Sequence, residues 1–245
     1  MTTLLLGPAL GTGPTMWQRA AEHLPAGVRT VVVPLPGTGE HPSRSADAMT
    51  ITALADGVLR RADAEEVERF HFAGVSLSGL IAIELARRHP DRMASVVVIS
   101  AGATIARSMW LARAARVHRE GMAWLAAAAA GRWFGLTFLS SAPQVAQGLI
   151  AGLATADPGA YSALCSAIAQ FEPMDDLAQT HVPALVINGE RDIAAPPEDG
   201  AALAALLPRG EFRVIPDAAH LCPVERPVDV AKQITDFLHR VEQAC

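Results

Sequence analysis

Six short hydrophobic runs recur along the chain, and longer amphipathic patterns separate most of them. Several runs are nearly continuous in Val, Ile and Leu, which is typical of parallel strands buried on both faces of a sheet. The predicted strands cover residues 3–6, 30–33, 69–73, 94–100, 184–188 and 211–215. The predicted helices cover about 15–23, 50–62, 78–89, 198–206 and 227–240. This order predicts an α/β fold with a doubly wound, mostly parallel sheet of about six strands.

The alternation of strands and helices stops between residues 103 and 180. This segment is rich in Ala, contains three of the four tryptophans and has no convincing strand pattern. We therefore expect a helical lid over 103–180, inserted after the fourth strand, and a core made of 1–102 and 181–245. Insertions at the carboxyl ends of parallel strands commonly cover the crevice in which such sheets bind ligands.

The composition is that of a folded chain with a large core. Hydrophobic residues make up 51% and charged residues 18%, which excludes a disordered protein. The net charge is -5 and the chain has no basic cluster, so we expect no nucleic acid partner.

Cysteine usage and the apolar segments favour a cytoplasmic protein. Cys165, Cys222 and Cys245 lack metal-ligand spacing, so free thiols in a reducing compartment are the simplest interpretation. The N-terminal residues have neither the positive charge nor the apolar length of a signal peptide. The apolar run 122–130 has nine residues, whereas a membrane span needs about twenty. We expect no metal site and no membrane association.

A candidate nucleophile follows the third predicted strand. Residues 74–79, GVSLSG, lie between this strand and a helical pattern, which is the context of a nucleophile elbow. Ser76 would occupy the strained turn, and Gly74 and Ser78 are small enough for strand and helix to approach each other. The backbone N–H of Leu77, at the start of that helix, is one predicted oxyanion donor. The alternative is an ordinary strand-to-helix turn with a serine N-cap.

The predicted partners of Ser76 follow the last two strands. His220 lies in a loop after the sixth strand, at the same sheet edge as Ser76, and the other seven histidines fit this position less well. A histidine can accept the serine proton near neutral pH, and it needs an acid that orients its ring. Asp192, after the fifth strand, is the predicted acid, in the chain order expected for this arrangement. Glu190 is a competing acid that lies nearer the strand end.

A loop of small residues follows the first predicted strand. Residues 7–13, GPALGTG, allow the backbone to approach the site, and the N–H of Leu10 is the second predicted oxyanion donor. A glycine-rich loop after a strand can also bind phosphate. This loop matches neither the dinucleotide fingerprint nor the P-loop lysine pattern, so nucleotide binding is disfavoured.

With these motifs the chain resembles the α/β-hydrolase superfamily and, within it, the 3-oxoadipate enol-lactonases. The resemblance extends over nearly the whole chain. It rests on Leu10-Gly11-Thr12 with Met16-Trp17, the elbow at 74–79, RRHPDR at 87–92, GERD at 189–192 and Ala219-His220. More discriminating features of the predicted lid are Gly121-Met122, RWF at 132–134, and Tyr161 followed by Cys165.

The resemblance implies a serine hydrolase that cleaves a small lactone or carboxylic ester through an acyl-enzyme, without a cofactor. Ser78 departs from the family pattern, which has glycine at this position. The N-terminal hairpin common in the superfamily is expected to be absent or shortened. These departures bear on the substrate rather than on the fold.

The predicted lid is rich in arginine. It carries Arg107, Arg113, Arg116, Arg119 and Arg132, whereas Glu120 is its only acid before Asp157. An enol-lactone of this type is anionic, and a guanidinium can hold a carboxylate through two hydrogen bonds. We expect Arg132, Trp133 and Trp110 to contact the small-molecule substrate. The alternative is that the arginines form a solvated helix face and the tryptophans pack the lid onto the sheet.

Other functions share this triad or this pocket. A thioesterase or a cofactor-free perhydrolase would use the same three residues. A cyclase-type enzyme or a ligand-binding protein would reuse the pocket, although a pure binding protein has no need for Ser76, Asp192 and His220 together. The sequence leaves open the substrate, the choice between hydrolysis and rearrangement, and a homodimer formed through the lid helices.

Overall fold

One parallel sheet forms the centre of the molecule. The computed structural model describes residues 2–38, 49–172 and 174–244, and within them six strands pair in the order β2-β1-β3-β4-β5-β6. The strands are β1 (Thr2–Gly7), β2 (Val28–Val32), β3 (Phe70–Val75), β4 (Met93–Ile99), β5 (Ala184–Gly189) and β6 (Gly210–Ile215). Every pairing is parallel. The predicted sheet is confirmed, with small shifts at the strand ends.

Helices connect the strands. They are α1 (Gln18–Ala21), α2 (Ile51–Ala64), α3 (Leu77–Arg88), α4 (Arg107–Glu120), α5 (Ala123–Trp133), α6 (Leu136–Ser141), α7 (Pro143–Ala154), α8 (Pro158–Ala169), α9 (Pro197–Leu206), α10 (Cys222–Glu225) and α11 (Pro227–Gln243). Short 3₁₀ turns cover Pro14–Trp17, Pro90–Arg92 and Met174–Gln179. The helix predicted at 15–23 is such a turn followed by the four-residue α1, which ends at Ala21.

Burial follows the position of each strand in the sheet. β3 and β5 are buried at every residue, and β1 and β4 at nearly every residue, since helices cover both faces. The edge strands β2 and β6 are partly exposed. The near-continuous hydrophobic runs of the sequence therefore correspond to the inner strands.

Five helices of the described chain, α4 to α8, lie between β4 and β5. We call these five helices the helical insertion. Its position after the fourth strand is confirmed. The domain limits at 103 and 180 stay a prediction. Within it α4 packs against α8 and α5 against α7. Gly121, with a φ of 70°, ends α4, as glycine commonly does at this helix position. No helix in the described ranges is long and apolar enough to cross a membrane.

A buried histidine lies near the amino-terminal end of β3, away from the carboxyl ends of the strands that the predicted site residues follow. His71 of β3 is buried, and its Nδ1 lies 2.7 Å from the Oγ of Ser95 on β4. Burial lowers the pKa of His71 to about 4, although the charge of Glu242 opposes this effect. The imidazole is therefore neutral in the folded chain at neutral pH.

We expect this histidine to make folding less favourable in mild acid. Between the folded pKa of about 4 and its unfolded value, the unfolded chain binds a proton that the folded chain does not, so stability falls as pH decreases. Between about pH 7.5 and about pH 5 the native protein should lose about 2 kcal/mol more than His71→Gln. Urea unfolding of both proteins at the two pH values measures the difference. Equal losses would contradict the assignment of a neutral, buried imidazole.

Candidate active site

Ser76 occupies the tight turn between β3 and α3, in a backbone conformation that few residues other than glycine adopt. Its φ is 56° and its ψ is -113°. The Ser76 N–H donates to the carbonyl of Ile99 at 2.8 Å, and the Gly79 N–H donates to the carbonyl of Ser76 at 2.9 Å. A Cβ on Gly74 would lie 2.0 Å from the carbonyl oxygen of Ser78. Only glycine therefore lets the strand and the helix come this close.

Ser78, the departure from the family pattern, makes a contact that glycine has no atom to make. Its hydroxyl is buried and donates to the carbonyl of Pro8 at 2.6 Å. A Cβ on Gly7 would lie 2.5 Å from the Cβ of Ser78, so the two segments pack closely. The added hydroxyl thus ties the elbow to the loop after β1.

That loop, which contains Leu10, is held by side chains. The Trp17 indole donates to the carbonyl of Gly7 at 3.0 Å, and the Thr12 hydroxyl donates to the carbonyl of Ala9 at 2.8 Å. These contacts explain why the threonine and the tryptophan accompany this loop. Leu10 itself is buried and is not among the residues that line the cavity described below. Its role as an oxyanion donor stays a prediction.

Asp192 and His220 form a buried hydrogen-bonded pair. The Nδ1 of His220 lies 2.9 Å from Oδ2 and 3.1 Å from Oδ1 of Asp192, and the two residues are 7% and 3% exposed. Oδ1 also accepts the N–H groups of Ala194 at 2.8 Å and Ala195 at 2.9 Å. The backbone turn after Asp192 therefore orients the carboxylate, and the carboxylate orients the His220 ring. Nε2 is the ring nitrogen that does not contact the carboxylate.

Glu190, the competing acid, has a different contact. Its Oε2 accepts the N–H of Asp217 at 2.9 Å on the exposed side of the loop. The neighbouring Arg191 N–H donates to the carbonyl of Ala218 at 2.8 Å. These bonds hold the loop after β5 against the loop after β6, and so bring the aspartate and the histidine together.

Ser76 and His220 line one cavity of about 270 Å³ between the elbow and the helical insertion. Leu77, the predicted oxyanion donor, also lines it. The rest of the lining is mostly apolar and comes from several elements, among them Leu80, Ile105, Met109, Trp110, Ile168 and Ile193. Ligand pockets begin at about 300 Å³, so a cavity of this size favours a small substrate.

A second cavity, of about 350 Å³, lies between β1, α2 and α3. Arg60 is the only ionisable residue of its lining within the described ranges, so this part of the lining offers Ser78 no histidine or carboxylate as a general base. No cluster of three or more His, Cys, Asp or Glu that would hold a metal ion occurs in residues 2–38, 49–172 and 174–244.

The three predicted substrate contacts in the insertion have different positions. Trp110 and Arg132 line the cavity that contains Ser76. Trp133 does not line it: this residue is 2% exposed, and its ring meets that of Phe134 edge-to-face with 6.2 Å between centroids. Helix α5 turns the ring of Trp133 away from the cavity, so packing replaces the substrate contact expected for it.

Arg113 joins Arg132 in the lining of the cavity. The Arg113 guanidinium stacks on the ring of Trp110, 4.5 Å from its centroid. Burial lowers the pKa of Arg132, and the charge of Arg113 lowers it further. Neither guanidinium forms an ion pair with a carboxylate among the described side chains. Two like charges in one cavity leave a strong local preference for an anion.

The neighbouring titratable groups do not supply that anion. Burial raises the pKa of Tyr161, and it raises the pKa of Cys165 to about 12, while the charges of Arg113 and Arg132 oppose both rises. Phenol and thiol are therefore neutral at physiological pH. The positive charge of the cavity is left for a ligand to neutralise.

The other three arginines of the insertion pair with surface acids. Arg107 lies 2.8 Å from Glu172, and Arg116 lies 2.8 Å from Glu120. Arg119 lies 3.8 Å from Glu120. The interpretation as a solvated helix face therefore applies to these three and not to the two in the cavity.

Comparison with known proteins identifies the family of this fold and site. The Alpha/beta hydrolase family matches residues 4–233. The chain belongs to the α/β hydrolase family.

Three proteins similar to this chain are two enol-lactonases and an esterase. The 3-oxoadipate enol-lactonase 1 of Acinetobacter baylyi is 30% identical over 98% of this chain and 89% of its own length. An enol-lactonase structure from Burkholderia xenovorans LB400 is 31% identical, with a TM-score of 0.91 over 97% of this chain and 91% of that chain. A malate-bound thermophilic esterase from Thermogutta terrifontis is 28% identical, with a TM-score of 0.90 over 98% and 90%. The resemblance inferred from the motifs is confirmed.

Two residues of this α/β hydrolase were not singled out by sequence reasoning. Arg113 stood among five similar arginines, and its only local signal is its place three residues after Trp110, on the same face of α4. Glu225 belongs to none of the motifs above, but it is buried and accepts two backbone N–H groups. A charged residue with so little exposure is unusual unless it is paired, which makes its contacts informative.

Proposed function

We propose that this α/β hydrolase cleaves a small lactone or carboxylic ester through an acyl-enzyme on Ser76, and that the substrate carries a carboxylate. The observation that carries the proposal is a single cavity lined by Ser76, His220 and two arginines, Arg113 and Arg132. The buried contact between His220 and Asp192 supports it, because a general base needs a fixed ring.

Acylation begins with proton transfer. Nε2 of His220 accepts the hydroxyl proton of Ser76 while Oγ forms a bond to the substrate carbonyl carbon. The carbonyl oxygen becomes an oxyanion, which the N–H groups of Leu77 and Leu10 stabilise. The bond to the leaving oxygen then breaks, and that oxygen receives the proton from His220. In a lactone, the leaving oxygen stays attached to the acyl group.

Deacylation repeats these steps with water. His220 removes a proton from the water as its oxygen attacks the ester carbon of the acyl-enzyme. The bond between that carbon and the Oγ of Ser76 breaks, and the proton returns to Oγ. The product is a carboxylic acid, and the enzyme is regenerated without a cofactor.

The substrate class follows from the charge of the cavity. A carboxylate between Arg113 and Arg132 would receive charge-assisted hydrogen bonds and relieve the repulsion between the two guanidiniums. The enol-lactonases named above are about 30% identical to this chain, which makes 3-oxoadipate enol-lactone the first lactone to test. The apolar wall of the cavity suits the carbon skeleton of such a molecule.

Removal of the proposed nucleophile should abolish hydrolysis. We expect Ser76→Ala to lower kcat/KM by about 10⁴-fold on p-nitrophenyl esters and on the enol-lactone, because the acyl-enzyme has no oxygen to form on. Ser95→Ala is the matched control, since it removes a buried hydroxyl that contacts His71 and lies outside the cavity lining. Turnover by Ser76→Ala at the native rate would contradict the proposal.

The arginine pair should select anionic substrates. We expect Arg113→Gln and Arg132→Gln to lower kcat/KM about 10–100-fold for mono-p-nitrophenyl adipate, through loss of a charged hydrogen bond. The neutral p-nitrophenyl hexanoate should change little, so the ratio of the two rates reports charge recognition. Arg119→Gln is the control, because this side chain is on the same helix as Arg113 and is 63% exposed. An unchanged ratio in both variants would contradict the proposal that the substrate carries a carboxylate bound by these arginines.

A cyclase-type enzyme or a ligand-binding protein is the alternative use of this pocket. Both would leave the esters and lactones intact in the native protein. A native protein that binds the enol-lactone without opening it would favour these alternatives over hydrolysis.

A further inference from the structure

Glu225, the last residue of α10, connects two distant segments through one carboxylate. Its Oε1 accepts the N–H of Ala219 at 2.7 Å, and its Oε2 accepts the N–H of Gly135 at 2.8 Å. The side chain belongs to a residue that is only 8% exposed. Both carboxylate oxygens therefore have a backbone donor, and water screens these bonds little.

The two donors flank the groups that the proposed reaction uses. Ala219 directly precedes His220, while Gly135 follows α5 and lies three residues after Arg132. On the other side of the histidine, the Leu221 N–H donates to the carbonyl of Trp133 at 3.0 Å. The loop that carries the histidine is thus attached to the end of α5 on both sides of the ring.

The charge and shape of a carboxylate are what this position requires. Two N–H groups point at the two oxygens, so the amide of a glutamine would place its NH₂ against one of these donors. Burial raises the pKa of Glu225, but the bonds from Gly135 and Ala219 and the charge of Arg226 oppose that rise. The backbone contacts thus stabilise the ionised form that the bridge needs.

We propose that Glu225 is a positioning residue that couples the general base to the anion-binding end of the cavity. It holds the peptide before His220 and the segment after Arg132 in one arrangement, so that the substrate carboxylate and the scissile carbonyl are placed together. This inference rests on the proposed hydrolase function and adds to it a residue that touches neither the substrate nor the reacting atoms.

The test measures kcat and KM separately for mono-p-nitrophenyl adipate and p-nitrophenyl hexanoate. In Glu225→Gln, kcat should fall about 10-fold or more on both esters, because small displacements of a catalytic group are costly. KM should rise only for the adipate ester, since only its carboxylate uses Arg132. Glu211→Gln is the control: it alters a carboxylate on the edge strand β6 that pairs with Arg213 and Arg240 and does not line the cavity, so both constants should stay near native.

A second variant keeps the negative charge and shortens the bridge. Aspartate lacks one methylene, so at this position it cannot accept both the Gly135 and the Ala219 N–H groups, which glutamate accepts at 2.8 and 2.7 Å. In Glu225→Asp, KM for the adipate ester should rise and kcat should fall on both esters, as in Glu225→Gln. This variant decides the question if urea unfolding shows that Glu225→Gln does not fold.

The outcomes separate the two proposals. If Ser76→Ala is as active as the native protein, the hydrolase mechanism fails whatever Glu225 does. If Ser76→Ala is inactive and Glu225→Gln matches Glu211→Gln on both esters, the positioning role is wrong. An equal fall in kcat on the two esters with both KM values unchanged would also overturn the coupling, since it indicates that Glu225 positions His220 but not the segment after Arg132.

Discussion

The close approach of Gly74 to the backbone of Ser78 is the constraint on which the rest of the site depends. It allows β3 to turn directly into α3, and that turn keeps Ser76 at a φ of 56°. A strained residue persists only where its surroundings hold it in place. Here the bond from Ser76 to Ile99 at the end of β4, together with the contact from Ser78 to Pro8, provides that support. The parallel order of the strands then brings the loops with Asp192 and His220 to the same edge.

The helical insertion adds what the sheet edge lacks, namely walls and positive charge. Arg113 and Arg132 enter the cavity from α4 and α5, and their neutral neighbours leave the charge for a ligand. Holding two guanidiniums together in a half-buried space costs free energy, which an anionic substrate would offset. The proposed role of Glu225 links this charged end of the cavity to the general base, because the segment that follows Arg132 and the loop that carries His220 both donate to one carboxylate.

The sequence could predict what depends on local patterns. Hydrophobic runs located the strands, and the spacing of small residues around Ser76 located the elbow, because both arise from neighbours along the chain. Contacts that depend on packing could not be read in this way. Which arginines face the cavity depends on how α4 packs against α8, and Trp133 was assigned to the substrate because the rotation of α5 is not visible in its composition. Glu225 and Gly135 are 90 positions apart, so no local pattern joins them.

The most direct test of the central claim is covalent labelling of the native protein with a fluorophosphonate, followed by peptide mass spectrometry. Such a reagent reacts with a serine that an adjacent base activates, and it forms a stable adduct at the nucleophile oxygen. The account predicts one adduct, on the peptide that contains Ser76, and a strong decrease in its rate of formation in His220→Gln. An adduct on a different residue, or an active enzyme that forms no adduct at Ser76, would contradict it.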